Sequence, residues 1–263
     1  MKVLFLKKAT LLILIGIICL MSVLPLSVST LGVGAVYFAV DRKLPIYGVE
    51  TSENKVSISF DAAWGADKTE SIMDICDEYG IKATFFLVGF WIEKYPDMVK
   101  TIYNRGFEIG IHSNSHPDMT SLSRQEMYDE LSTNINQVEE LLGMRPKLFR
   151  PPYGYYNNTL IEVCNELGLS CIEWSVDSLD WKGLSASEIA GRIISKVEKG
   201  SIILCHNNSD NILPALKLTF EYFLEKKIET VPIGDLIYYD NFIINNNGIQ
   251  IQNKGETNEC RNG

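Results

Sequence analysis

The chain has 263 residues, 46% hydrophobic and 22% charged, a balance that fits a folded protein and excludes global disorder. Its net charge of -9 gains nothing from releasing phosphate counterions, which argues against a nucleic-acid partner. The cysteines (Cys19, Cys76, Cys164, Cys171, Cys205, Cys260) show no Cys-x-x-Cys spacing, against a thiolate zinc site or redox dithiol. They read as free, buried small hydrophobes, with a Cys164–Cys171 bridge as the alternative.

Lys2, Lys7 and Lys8 precede an uncharged run from Ala9 to Val40. That run exceeds the ~20 apolar residues of a membrane-spanning helix and the roughly 7–15 of a secretory leader. Residues 1–43 are therefore predicted to be a single-pass membrane anchor, or a signal segment cleaved near Ser27 and Ser29. The lysines set the N-terminus inside and everything after the run outside the cytoplasm. Residues 44–54, with Pro45 and Gly48, read as a linker. A regular alternation fills 55–238. Predicted strands Val56–Phe60, Lys82–Val88, Phe107–Ile111, Lys147–Phe149, Leu169–Val176, Ser201–Cys205 and Ile228–Val231 are separated by helical stretches. These are Asp67–Tyr79, Ile92–Arg105 (broken at Pro96), Ser123–Leu142, Asn157–Leu167, Ser185–Glu198 and Leu213–Lys227. Ser123 with Glu126, and Ser185 with Glu188, have capping-box spacing. Pro232–Tyr238 reads as a short helix or turn. The Asn-rich residues 239–263 are predicted to be a loosely ordered polar tail. Strand–helix alternation of this kind implies parallel strands with crossover helices, in an open doubly wound sheet or a closed barrel.

The ionisable residues fall at predicted strand ends: Asp61, His112, Arg150, Asp177 with Asp180, and His206. In an α/β barrel those ends converge on one face, where the chemistry sits. The chain has three histidines, all at such ends. His112 and His116 are spaced to bring two imidazoles to one metal on a helical turn; two histidines suit zinc and other borderline divalent ions. Read blandly, they are a pair of surface histidines. In Arg150-Pro151-Pro152-Tyr153-Gly154 two prolines stiffen the turn around a guanidinium; an ordinary salt bridge is the alternative. Asp61 could be a helix N-cap, and Asp177–Trp181 a turn with a packed aromatic.

Taken together, Asp61, His112-x-x-x-His116, Arg150-Pro-Pro-Tyr153-Gly154, Asp177-x-x-Asp180-Trp181 and Leu204-Cys205-His206 resemble the five motifs of the NodB-homology polysaccharide deacetylases, carbohydrate esterase family 4. The resemblance spans Lys55 to Ile237. It implies a distorted (β/α)7-type barrel and metal-dependent removal of acetyl groups from N-acetylated sugars. For an anchored extracytoplasmic domain, the nearby acetylated glycan is peptidoglycan. By motif position, Asp61 resembles the catalytic base, Arg150 its orienting partner, His206 the general acid and Asp180 the residue that tunes it. His112 and His116 resemble metal ligands, zinc being the expected ion. Tyr153, Trp181 and Leu204 resemble the walls of the acetyl groove, and the Tyr153 amide an oxyanion donor. The chain departs from the pattern in Phe60-Asp61-Ala62-Ala63-Trp64-Gly65. Ala62 stands where the family has a second acid, the third metal ligand. This variant resembles the sporulation-associated branch. Water or a carboxylate such as Asp67 would have to complete the site. The remaining alternatives are a catalytically weak or inactive glycan-binding member of the same fold, and an esterase acting on O-acetyl groups.

Overall fold

A strand whose two faces are both covered should read as a near-continuous apolar run, and the central strand does. In the computed structural model, which describes residues 42–253, β2 (Lys55–Ala62) is buried from Val56 onward. It lies at the middle of a parallel sheet built with β3 (Thr84–Leu87), β4 (Glu108–Ile111), β5 (Leu148–Phe149), β6 (Ser170–Cys171), β7 (Val176–Asp177) and β8 (Ile202–His206). The strand order is β6-β5-β4-β3-β2-β8-β7, and β9 (Glu229–Thr230) also pairs with β2. This is the expected distorted (β/α)7 barrel, left open between β6 and β7.

Local signals set the helix ends. Pro96 cannot donate to a preceding turn, so the predicted interrupted helix is two helices, α2 (Gly89–Lys94) and α3 (Pro96–Asn104), following α1 (Thr69–Glu78). Both capping boxes form. They start α4 (Arg124–Leu142) at Ser123, whose hydroxyl accepts from Glu126 N at 3.3 Å, and α6 (Ala186–Lys196) at Ser185. Between them lies α5 (Asn158–Glu166); after β8 comes α7 (Ile212–Lys226), then α8 (Ile233–Leu236). One apolar cluster, with Phe60, Phe85, Ile109 and Ile203, lies under these helices; a second, with Phe86, Leu148, Ile172 and Ile202, is closed by Ile233 and Leu236 of α8.

Several expectations need correction or fall outside the described residues. Leu169–Val176 is not one strand. It splits into β6 and β7 at opposite ends of the strand order, because the chain leaves β5 and crosses to pair Val176 with Ile203 of β8. Residues 44–54 are not a free linker. Buried Ile46 bridges Ile172, Gly48 bridges Ser201, and β1 (Gly48–Val49) forms there. The polar tail is structured over its first half. β10 (Phe242–Ile244) and β11 (Ile249–Gln252) form a hairpin, and β11 pairs with β1 in parallel. The Asn-rich composition hid a turn: Gly248 at φ +76° closes it, and the Asn245 side chain accepts from Asn247 N and Ile249 N. Gln250, wholly buried, exchanges two hydrogen bonds with the Tyr238 backbone. Residues 254–263, and the predicted anchor or signal before Arg42, lie outside the described residues. Among the described residues no helix is long and apolar enough to cross a membrane. Cys76, Cys164, Cys171 and Cys205 are free and buried, so no Cys164–Cys171 bridge forms. Cys19 and Cys260 lie outside the described residues.

Candidate active site

The carboxyl ends of the parallel strands bring the predicted residues to one cleft of about 510 Å³, lined among others by Asp61, His112, His116, Tyr153, Trp181, Leu204 and His206. Asp61 is inside β2 rather than past its end, and its register partner on β8 is His206, the last residue of that strand. His112 and Arg150 directly follow β4 and β5. Asp177 ends β7 and lines the cleft, while Asp180 starts a one-turn 3-10 helix, Asp180–Lys182.

Arg150 is fully buried, and one guanidinium nitrogen donates to Asp61 Oδ1 at 2.7 Å and to Ser59 Oγ at 2.8 Å. The other terminal nitrogen donates to the Glu173 carbonyl at 3.3 Å, Nε is buried without a partner, and the guanidinium carbon lies 4.2 Å from the Phe86 ring centroid. Burial works to raise the Asp61 pKa, but the charges around it, Arg150 foremost, hold the carboxyl below its usual range. His112 does not supply that charge. Burial outweighs its attraction to Asp61 and lowers its pKa, so the ring is neutral at pH 7. Its Nδ1 lies 2.7 Å from the Arg150 carbonyl, which can only accept. The proton therefore sits on Nδ1, and Nε2, 3.6 Å from Asp61 Oδ2, offers a lone pair.

His206 is set the other way. Asp180, buried, accepts from His206 Nδ1 at 2.7 Å and from His206 N at 2.7 Å. Burial alone would lower the imidazole pKa; the hydrogen bond and charge of Asp180 outweigh it and raise it. The cleft thus has an ionised carboxylate beside a histidine biased toward its protonated form, two groups pushed apart as acid–base work requires.

His112 and His116 do meet, with ring centroids 4.9 Å apart, but not on a helical turn. Ser113 and His116 have φ of 65° and 60°, so the segment is an irregular loop, tied by His112 N to Asn134 Oδ1 and by His116 N to Ser113 Oγ. Burial pushes His116 down to about 4, with His112 adding to it. Its Nδ1 is buried without a hydrogen-bond partner. Two neutral imidazoles with free lone pairs suit a borderline metal. A catalytic zinc takes three protein ligands, and the third is missing. Ala62 is wholly buried in the core, and Asp67 is exposed and does not line the cleft. Among the described residues no group of three His, Cys, Asp or Glu is placed to hold an ion. The residues present do not fit a complete metal site.

Tyr153 sits at φ 61° inside the Pro152–Gly154 turn with its ring exposed, 4.8 Å from the His116 ring centroid. Trp181 is exposed and Leu204 buried, both on the cleft. Sequence reading missed several lining or supporting residues: Trp64, Tyr155, Trp174, Asn208 and Glu173. Glu173 is buried behind Arg150 with Oε1 unpartnered, and burial raises its pKa to about 8 against the pull of Arg150. Its signal was a lone acid in an otherwise apolar strand-like run. A Cβ on Gly154, at φ +70°, would stand 3.0 Å from that carboxyl, so the turn presenting Tyr153 rests directly on it.

Residues 48–172 match the polysaccharide deacetylase family. The chain is 34% identical over 174 residues to a peptidoglycan-N-acetylglucosamine deacetylase of Bacillus cereus, covering 62% of this chain and 63% of that one. Two other curated relatives are spanned over 51% and 42% of their own length, so the chain spans about half the length of the curated relatives it matches. A family 4 carbohydrate esterase from Streptomyces lividans superposes with a TM-score of 0.64 at 31% identity, covering 67% of this chain and 91% of that one. A family 4 pseudoenzyme from Bacillus anthracis superposes with a TM-score of 0.71 at 28% identity, covering 74% and 69%; a mutant of it is described as having restored enzymatic activity. The chain belongs to the polysaccharide deacetylase family, carbohydrate esterase family 4.

Proposed function

We propose that this cleft hydrolyses the acetamide of an N-acetylated amino-sugar polymer, peptidoglycan being the substrate. The observation that carries the reading is the adjacency of the Asp61–Arg150 pair and the His206–Asp180 pair across one register position. Amide hydrolysis needs a water deprotonated as it attacks and a leaving nitrogen protonated as it departs. Asp61, kept ionised by Arg150, takes the water proton as oxygen bonds to the acetyl carbon. His206, kept protonated by Asp180, gives its proton to the nitrogen as the C–N bond breaks, leaving acetate and a free amine. The Tyr153 amide faces the developing oxyanion, an interaction typically worth 10²–10³ in rate. The acetyl methyl lies among Tyr153, Trp181 and Leu204. The peptidoglycan assignment is supported by the name of the Bacillus cereus relative. In this reading residues 1–43 anchor the domain outside the cytoplasm, which protease accessibility on intact cells would test.

Acetate release from N-acetylated and O-acetylated glycan fragments, with and without added zinc, tests the assignment. Wild type should release acetate from the N-acetyl substrate, and Asp61→Asn should not; equal release from both rejects Asp61 as the base. Ala62 favours a second reading, a glycan-binding member of low activity in which His112 and His116 hold zinc weakly. Stoichiometric metal in the purified protein would count against that reading. Metal-free protein that binds glycan and releases no acetate would support it.

A further inference from the structure

We propose that Trp64 and the pocket behind it form a second sugar subsite, which holds the ring next to the one whose acetyl group enters the cleft. This rests on the reading that the ligand is an amino-sugar polymer. Trp64 is 59% exposed, yet it does not sit on a loose loop. The next carbonyl, that of Gly65, accepts from Trp91 Nε1 at 2.6 Å and from Asn207 Nδ2 at 2.9 Å. Both donors are buried, and Asn207 is also tied to Thr69 Oγ1 at 3.0 Å. Gly65 at φ +64° takes a backbone conformation that side chains disfavour. The backbone that carries Trp64 is therefore held in place, and the exposed indole forms part of a contiguous aromatic surface with Phe90 and Tyr153 rather than an isolated apolar side chain.

What it would cover follows from the shape around it. Trp64 and Ala63 line the catalytic cleft and also a neighbouring pocket of about 180 Å³, whose other walls are Gly65, Phe90, Trp91, Lys94 and Tyr95. The two cavities share Ala63 and Trp64 as walls, which places the smaller one next to the cleft for a chain that extends past the indole. The indole packs on Phe90 at 5.3 Å between centroids and has the His116 ring at 6.2 Å. The result is an aromatic shelf continuous with the cleft. A pyranose ring presents an apolar C–H face that lies against aromatic rings, while its hydroxyls remain at the wet edge. Exposed Lys94 stands at that edge to donate to ring substituents. A rigid aromatic of this kind binds with little ordering cost.

The test is calorimetric titration of the full chain with β-1,4-linked N-acetylglucosamine oligomers from dimer to hexamer. Wild-type affinity should rise with length. Trp64→Ala should lose about five- to tenfold on the longer oligomers and little on the dimer, a stacking contribution of ordinary size. Trp64→Phe should keep most of the gain, and matching thermal melts exclude misfolding. If Trp64→Ala binds every length like wild type, the inference is overturned and the indole is left for a protein partner. An equal loss on dimer and hexamer overturns it too, placing Trp64 in the acetyl site instead. If wild type binds no oligomer, the polymer reading itself fails, and the subsite falls with it.

Discussion

Replacing Arg150 with methionine isolates the interaction on which the base depends. Methionine refills much of the aliphatic volume over Phe86, so the change is chiefly electrical. Arg150 and Asp61 are both buried and 2.7 Å apart. Removing one partner of such a pair strands the other charge, at a cost of about 3–5 kcal/mol. Against a total stability of roughly 5–15 kcal/mol and a urea slope of about 2 kcal/mol per molar, the unfolding midpoint should fall by about 2 M. The pH dependence should also reverse. In the wild type Asp61 has a depressed pKa, so its contribution is present above the unfolded value and lost as the pH falls. Without Arg150, burial dominates and raises that pKa, so Arg150→Met should instead lose stability as pH rises from about 4 to 7. Urea melts at two pH values, with Asp61→Asn added to the variant, read this directly: the double variant should be more stable than Arg150→Met alone. A cost under about 1 kcal/mol, or no rescue by the added Asp61→Asn change, would refute the stranded-charge argument.

Glu173, raised to about 8 in the fold, ionises near 4.5 when unfolded, so its contribution is lost as pH rises between those values; Glu173→Gln should gain stability over wild type at pH 8 but not at pH 4, read by urea midpoints. Asp180→Asn should lower the His206 pKa in an NMR titration and reduce acetate release at pH 7 by about 10²-fold or more. Ala62→Asp should make thermal stability depend on zinc: low in chelator, since an acid enters a wholly buried position, and restored by about 4 kcal/mol when zinc is a thousandfold above its Kd. Deleting 242–253 removes the β10–β11 hairpin and the partner of β1, and should cost about 2 kcal/mol in denaturant titration.

The parts of the fold that sequence made legible are those with dense local signals. Pro96, the Ser123 and Ser185 capping boxes and the apolar run of β2 each fix an element by short-range physics, and each formed where read. The misses depend on long-range pairing. Nothing within Leu169–Val176 says that one end joins β5 and the other β8. Nothing in an Asn-rich tail says that Gly48 waits for Ile249. The site behaved alike. Ionisable residues at strand ends could be placed on one face, since parallel topology does that for any sequence. The left-handed backbone at Ser113 and His116 could not, because spacing alone suggests a helical turn. Glu173 showed as a lone acid in an apolar run, but its place against Arg150 depends on burial that the run does not spell out.

The site divides into two parts with different dependence on an ion. Asp61 with Arg150, and His206 with Asp180, are held by hydrogen bonds of 2.7 Å inside the protein and need nothing else to keep their geometry. His116 is different. It takes a backbone conformation that costs a non-glycine residue about 1 kcal/mol, and it buries a ring nitrogen without a partner, a penalty of about 1–3 kcal/mol. Packing alone would be better served there by an apolar side chain. A strained, unsatisfied imidazole 4.9 Å from a second one therefore argues for an external partner at that spot. Ala62 withholds one of the three groups that would hold such a partner firmly. The acid–base geometry is accordingly complete in the protein alone, while the imidazole pair is the part of the cleft whose polar groups the protein leaves unsatisfied.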